Sequence, residues 1–220
     1  MILIDGGDAR IVDDERAFPI KSWTFALERF ELRIEDMNMT TALDKLVERT
    51  GVELAVNGGF FDPHGRPVGF AMTDGAELSP LMRNLSGGVL TVDAERARLF
   101  PTETFALPEG TKFGVECRPR LVVGGIPNVK SDDGKRSERS AICIRDAGKT
   151  IEILVVRDQD DGGPTLYALG RFLAAHGCDD ALNLDGGPST GVAWRENGKV
   201  QILPPRGSLR HAIVVRARAI

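Results

Sequence analysis

The segment ALNLDGGPST, residues 181–190, is an apolar run that ends in an acid and two glycines. Such a run is a short buried strand, and the Asp185-Gly186-Gly187 that follows is the turn at its end. Upstream, a helix opens at Pro164, a residue suited to a first turn. It carries Leu166, Leu169, Phe172 and Leu173 on one face and stops at Gly177. The plan of helix, glycine stop, strand, polar residue and Gly-Gly also occurs earlier, in LVERTGVELAVNGGFF (46–61). There, Leu43, Leu46 and Val47 form the apolar stripe, and Thr41 stands three residues before Asp44 in a capping-box-like start. Gly51 is the stop, and the strand Val52 to Val56 runs into Asn57-Gly58-Gly59. Side chains at the end of a buried strand are held rigidly while facing solvent, and glycines beside them let a ligand approach the main chain. Consecutive N–H groups in such turns can also form an anion nest.

Around these two segments the chain is rich in strand signals. GGVLTV (87–92), RLVV (120–123), RSAICI (139–144), IEILVV (151–156) and HAIVVRA (211–217) are β-branched runs bounded by turns, as are MILI, ARIV and FELRI near the start. Asp5-Gly6-Gly7, between MILI and ARIV, reads as a plain hairpin turn. NVKSDDGKRSE (128–138) is polar and charged and reads as a mobile surface loop. No change of composition divides the chain, and strands without a βαβ rhythm predict one α+β domain, its sheet mixed or mainly antiparallel with a few flanking helices.

The 220 residues are long enough to bury a core, and 42% hydrophobic with 27% charged residues is ordinary for a globular protein. A formal charge of −4 argues against a nucleic-acid partner. Cys117, Cys143 and Cys178 are odd in number and lack a C-x-x-C spacing, so neither a zinc site nor a disulfide framework is expected, and Cys143 reads as a buried, inert thiol. No stretch reads as a membrane span, and the start lacks the pattern of a signal peptide. RDQDDGG (157–163) places Asp158, Asp160 and Asp161 in a calcium-like loop, but Gly162 falls where an EF-hand has its third acidic ligand; no cofactor or metal is expected.

AVNGGFFD (55–62), PRLVV (119–123), RSAICI, ALNLDGGPST and the closing AIVV (212–215) occur in the order and rough spacing of the phosphodiester glycosidase family, which the chain resembles from about Phe30 to its end, leaving 1–29 as an N-terminal extension. The resemblance implies a hydrolase that cleaves a sugar from a sugar-1-phosphodiester. Many bacterial relatives are exported and some are exopolysaccharide-related, which implies a periplasmic or extracellular setting. By similarity, Asn57, Gly58, Asp185, Gly186 and Gly187 line the site, Arg120 and Arg139 match the family's two recurrent arginines, and Ser189 matches its serine. Gly59, Phe60, His64 and Thr190 join them as candidate substrate contacts. Two departures bear on substrate identity: Pro188 stands where many relatives have a third glycine, and His211 stands where they have asparagine.

A phosphodiester leaves a sugar as a weakly basic phosphate monoester, so the protein's task is to hold an anion and to support an oxocarbenium-like transition state. Arginine suits the first task, because its planar fork matches two phosphate oxygens. Arg120 and Arg139 are the expected clamp, assisted by the Gly186 and Gly187 amides and the Ser189 hydroxyl. Asp185 is the expected nucleophile, base or charge stabiliser, with Asp62, Glu116 and Asp180 as candidate second carboxyls. Asn57 is assigned to the sugar, and His64 is a candidate general acid set against a surface reading. Two alternatives stand beside this: a non-catalytic carbohydrate-binding or exopolysaccharide-assembly protein of the same fold, and a metal-dependent phosphoesterase, which three scattered histidines disfavour.

Overall fold

The computed structural model describes residues 2–3, 10–157 and 162–218. Its strands form three main sheets and a small ribbon, Phe60–Phe61 with Pro67–Val68, and every pairing among the described residues is antiparallel. The largest sheet runs Ile2–Leu3, Arg16–Ala26, Thr150–Val156, Arg139–Arg145, Asp180–Asn183, Arg120–Val123, Ile126–Pro127, with Arg10–Asp13 also on Arg16–Ala26. A second sheet runs Lys199–Leu203, Val192–Glu196, Val52–Asn57, Leu209–Ala217, Phe30–Thr40. The third has Gly88–Val92 and Phe113–Cys117 at its centre.

The three sheets enclose one core. Trp23, Ile142, Ile153 and Leu182 from the large sheet meet Leu32, Leu54, Val56 and Ile213 from the second, and Leu90, Phe113 and Val115 from the third. Successive strand residues point to opposite faces, so Ala141 and Cys143 face away from this core. They join Leu121, Leu154, Leu169 and Leu173 under the helix Leu166–Ala175. Burial on both faces explains why RSAICI, after Arg139 at its half-buried start, carries no polar residue but Ser140. The second sheet is covered the same way: Leu43, Leu46 and Val47 of the helix Leu43–Val47 pack on Val52, Ala55 and Val214. Both helices are thus lids on the outer faces of the strands that lead into the Gly-Gly turns.

The chain is predominantly β, with two α-helices among the described residues; the antiparallel half of the α+β expectation fits, and its single sheet is replaced by three. Thr41 does not cap the first helix, whose N-cap is Ala42 without a side-chain bond. Pro164 precedes the second helix rather than opening it. Its cap is Thr165, which accepts from the Ala168 amide. Cys143 is not a free thiol: it is bonded to Cys178, which the helix and its Gly177 stop bring back beneath the strand, with Cα atoms 5.5 Å apart. Ile2–Leu3 and Arg10–Asp13 each pair with Arg16–Ala26, the tight turn being at Asp14 with its positive φ; Asp5-Gly6-Gly7 lies outside the described residues, as do Asp158, Asp160 and Asp161. No helix among the described residues is long and apolar enough to cross a membrane.

Candidate functional site

The two Gly-Gly turns meet. Asn57 Nδ2 donates to the Asp185 carbonyl at 2.7 Å, and the Asp185 amide donates to the Gly58 carbonyl at 3.2 Å. Asn57 Oδ1 accepts from Ser140 Oγ at 2.6 Å and from the Gly191 amide at 3.3 Å, so this side chain ties the second sheet to the large one. Asn57 is buried to 1% exposure and touches no open space. The geometry thus makes Asn57 the bolt between the turns, with both its amide atoms bonded within the protein and not aimed into open space.

Beside the joint lies a cavity of about 470 Å³, lined by Phe60, Arg118, Ser137, Arg139, Asn183 and Asp185 and by Ser86, Pro119, Leu166, Leu184 and Gly186 to Pro188. Asp185 is the only carboxyl on its wall among the described residues. Burial raises the Asp185 pKa, a shift opposed by the Ser189 hydroxyl and by the Gly186 amide, which reaches Oδ1 at 2.9 Å. A free thiol, Cys117, lies fully buried nearby. Desolvation, then the charges of Asp185 and Glu116, push its pKa far up, so it is inert as a nucleophile.

The cavity's cations are Arg118 and Arg139, rather than the expected Arg120 and Arg139. Neither has a carboxylate partner within ion-pair distance among the described residues. Arg139 donates to the Pro164 and Lys135 carbonyls at 3.1 and 2.7 Å, which fixes its guanidinium without neutralising it; burial lowers its pKa. Arg120 packs its stem against Gly88, where an added Cβ would lie 2.5 Å from its Cγ, and its charge is felt by Asp180. Arg120 opens the strand Arg120–Val123, whereas Arg118 stands before it in a bend, so strand alternation does not relate the two side chains.

Ser137 and Arg139 reach the cavity because Glu138 between them turns inward. Its carboxylate is 2% exposed and sits 2.9 Å from Arg157 and 3.1 Å from Arg206. Loop 128–138, read as plain surface, is pinned at this end: Arg136 bonds Asp13 at 2.5 Å, and the Glu138 carbonyl accepts from the Gly187 amide at 2.9 Å. The expected anion nest is therefore not available. The Gly186 amide is committed to Asp185, and the Gly187 amide to Glu138.

The remaining candidates fall away from the cavity. Gly58, whose amide bonds the His211 carbonyl, and Gly59 are not on its wall. Ser189 is buried against Asp185, and Thr190 is fully buried. His64 is exposed in the Asp62 to Arg66 turn. Asp62 is tied to Arg66, Glu116 to the Phe70 and Met82 amides, and Asp180 to the Gly124 amide, so none supplies a second carboxyl to the wall. Sequence reading passed over Arg118 and Asn183. Each is two residues from a chosen position, but Arg118 and Asp185 lie in bends outside the neighbouring strands, where spacing alone does not fix a shared face.

A sequence profile of the phosphodiester glycosidase family matches residues 50–216. A search of curated proteins finds no match. Among solved structures, a hypothetical protein from Synechocystis superposes with a TM-score of 0.72 at 15% identity, over 96% of this chain and 61% of that one; the chain thus spans under two thirds of that relative. The zebrafish N-acetylglucosamine-1-phosphodiester alpha-N-acetylglucosaminidase catalytic domain, auto-inhibited by its pro-peptide, superposes with a TM-score of 0.71 at 18% identity, over 96% of this chain and 81% of that one. At such identities the likeness is one of fold.

Proposed function

The chain belongs to the phosphodiester glycosidase family, and from that premise we propose that it hydrolyses the bond between a sugar's anomeric carbon and a phosphodiester oxygen. The observation that carries this reading is the cavity's charge pattern: one desolvated carboxyl, Asp185, shares the wall with two arginines that have no carboxylate within ion-pair distance among the described residues, the charge of Asp133 being felt at Arg139 only from further off. Arg118 and Arg139 hold the phosphate, and the Ser137 hydroxyl is placed to donate to it. Asp185 faces C1 and supports the positive charge that grows there as the C1–O bond breaks. Water adds to C1, and the phosphate departs as a monoester that needs little protonation, which suits a wall with one carboxyl. A non-catalytic binder gains nothing from a desolvated acid beside its ligand's anion; this favours turnover over the carbohydrate-binding alternative.

The Cys143–Cys178 bond supports work in an oxidising compartment, periplasmic or extracellular. The reaction is tested with N-acetylglucosamine 1-(p-nitrophenyl phosphate). Cleavage at C1 yields free sugar and p-nitrophenyl phosphate. Cleavage at phosphorus yields p-nitrophenolate and sugar 1-phosphate, and that product pair would defeat the reading.

A further inference from the structure

Asn183 lies on the cavity wall at 5% exposure. Its Nδ2 donates to the Arg118 carbonyl at 2.9 Å and to the Leu184 carbonyl at 2.7 Å. Both partners are acceptors, so the amide orientation is fixed: turned over, its oxygen would face two carbonyl oxygens. Oδ1 is thereby left buried and without a donor in the protein, on a side chain that lines the cavity, so a ligand reaches it only with a small rotation of that side chain. Buried amide oxygens are nearly always hydrogen-bonded, and an orphan on a cavity wall calls for an explanation.

Asn183 closes the strand Asp180–Asn183, Asp185 follows two residues on, and both line the one cavity, so the substituents of one sugar ring can reach both. We propose that Asn183 Oδ1 accepts a hydrogen bond from a hydroxyl or amide N–H on the same glycosyl ring whose C1 faces Asp185, and so selects which sugar is cleaved. This rests on the glycosidase reading above. The donor is assigned to the glycosyl ring because Asn183 stands two residues from Asp185, the group that faces C1 in that reading. Arg118 is positioned in part by the same side chain, through its carbonyl.

The test is a scan of mono-deoxy glycosyl phosphodiesters (2-, 3-, 4- and 6-deoxy, one common phosphate ester) on the parent and on Asn183→Ala. The parent is expected to lose about 10–100-fold in kcat/KM at one position only. Asn183→Ala also removes the two donated bonds, so it slows every substrate; the ratio between parent sugar and deoxy sugar cancels that loss and is expected to fall close to one. An unchanged ratio in the variant overturns the assignment. Should Asn183→Ala fail to fold, the parent's scan decides alone, and discrimination below about twofold at every position overturns it. Turnover without discrimination defeats this assignment only, whereas no turnover of any sugar phosphodiester defeats the glycosidase reading as well.

Discussion

Two turns of the same plan meet at the cavity, and they divide the labour. In the first, Asn57 is fully enclosed and its amide holds Ser140, Gly191 and Asp185 in place. In the second, Asp185 is half-buried and open to the cavity, and burial raises its pKa. Their glycines differ in reason as well. A Cβ on Gly58 would lie 3.0 Å from the His211 carbonyl oxygen, a close approach, whereas Gly187 has φ +59, a conformation that L side chains rarely adopt. A repeated motif therefore does not imply a repeated role: one copy is joinery and the other is chemistry.

The division is broken most directly at Asp185. Asp185→Asn keeps the shape and the Gly186 bond's geometry but removes the charge. It is expected to lower kcat by about a thousandfold, or ~4 kcal/mol of transition-state stabilisation. The thermal midpoint should hold or rise, since the fold disfavours this group's charged form. Activity within tenfold of the parent would move the chemistry away from this turn.

Asn57 carries the opposite expectation. Asn57→Ala leaves the Ser140 hydroxyl, the Gly191 amide and the Asp185 carbonyl short of partners inside the core, and a loss of about 2–4 kcal/mol in denaturant unfolding follows. Were stability unchanged and KM alone raised, Asn57 would be returned to sugar recognition and the two turns would be equals after all.

How much of this could be read from sequence follows from which signals are local. The strands Val52–Asn57, Arg139–Arg145 and Thr150–Val156 are legible because two-sided burial demands continuous apolar runs. The eleven-residue strand Arg16–Ala26 is not, since RAFPIKSWTFA places Pro19 and Lys21 inside it. Pairing of Cys143 with Cys178 spans 35 residues and depends on a helix turning the chain back, which no spacing rule encodes. The meeting of Asn57 with Asp185 was foreseeable from the repeated plan. The exchange of Arg120 for Arg118 was not, because Arg118 lies in a bend before the strand that Arg120 opens, and no periodicity relates the two.

That exchange sharpens the comparison from the cation side. Arg118→Ala removes one of two cations facing Asp185, and KM for a sugar phosphodiester should rise about tenfold, ~1.4 kcal/mol, with less change in kcat. Arg120→Ala, whose stem packs against Gly88 outside the cavity wall, should leave KM within about twofold while lowering stability through lost packing. The reverse pattern would restore Arg120 to the clamp and mean that the cavity has been assigned to the wrong arginine.

The smallest effect expected is a displacement along the pH axis. The Ser189 hydroxyl bonds the Asp185 carboxylate and favours its ionised form, pulling down a pKa that burial raises. If Asp185 must be ionised to act, kcat/KM climbs with pH as the carboxyl loses its proton. Ser189→Ala removes the opposing bond, so the acid limb of the profile should move to higher pH, with the plateau little altered. Stability follows the same sign. A group whose folded pKa lies above its unfolded value contributes stability below the unfolded pKa and loses it as pH rises through the folded one, so the variant should lose more than the parent between mildly acidic and neutral pH. The corresponding change at the first turn, Ser140→Ala, deletes a bond to an uncharged amide and should cost stability with no displacement of the acid limb. A limb that moved in both variants, or in neither, would mean that the group titrating in the profile is not the carboxyl of the second turn.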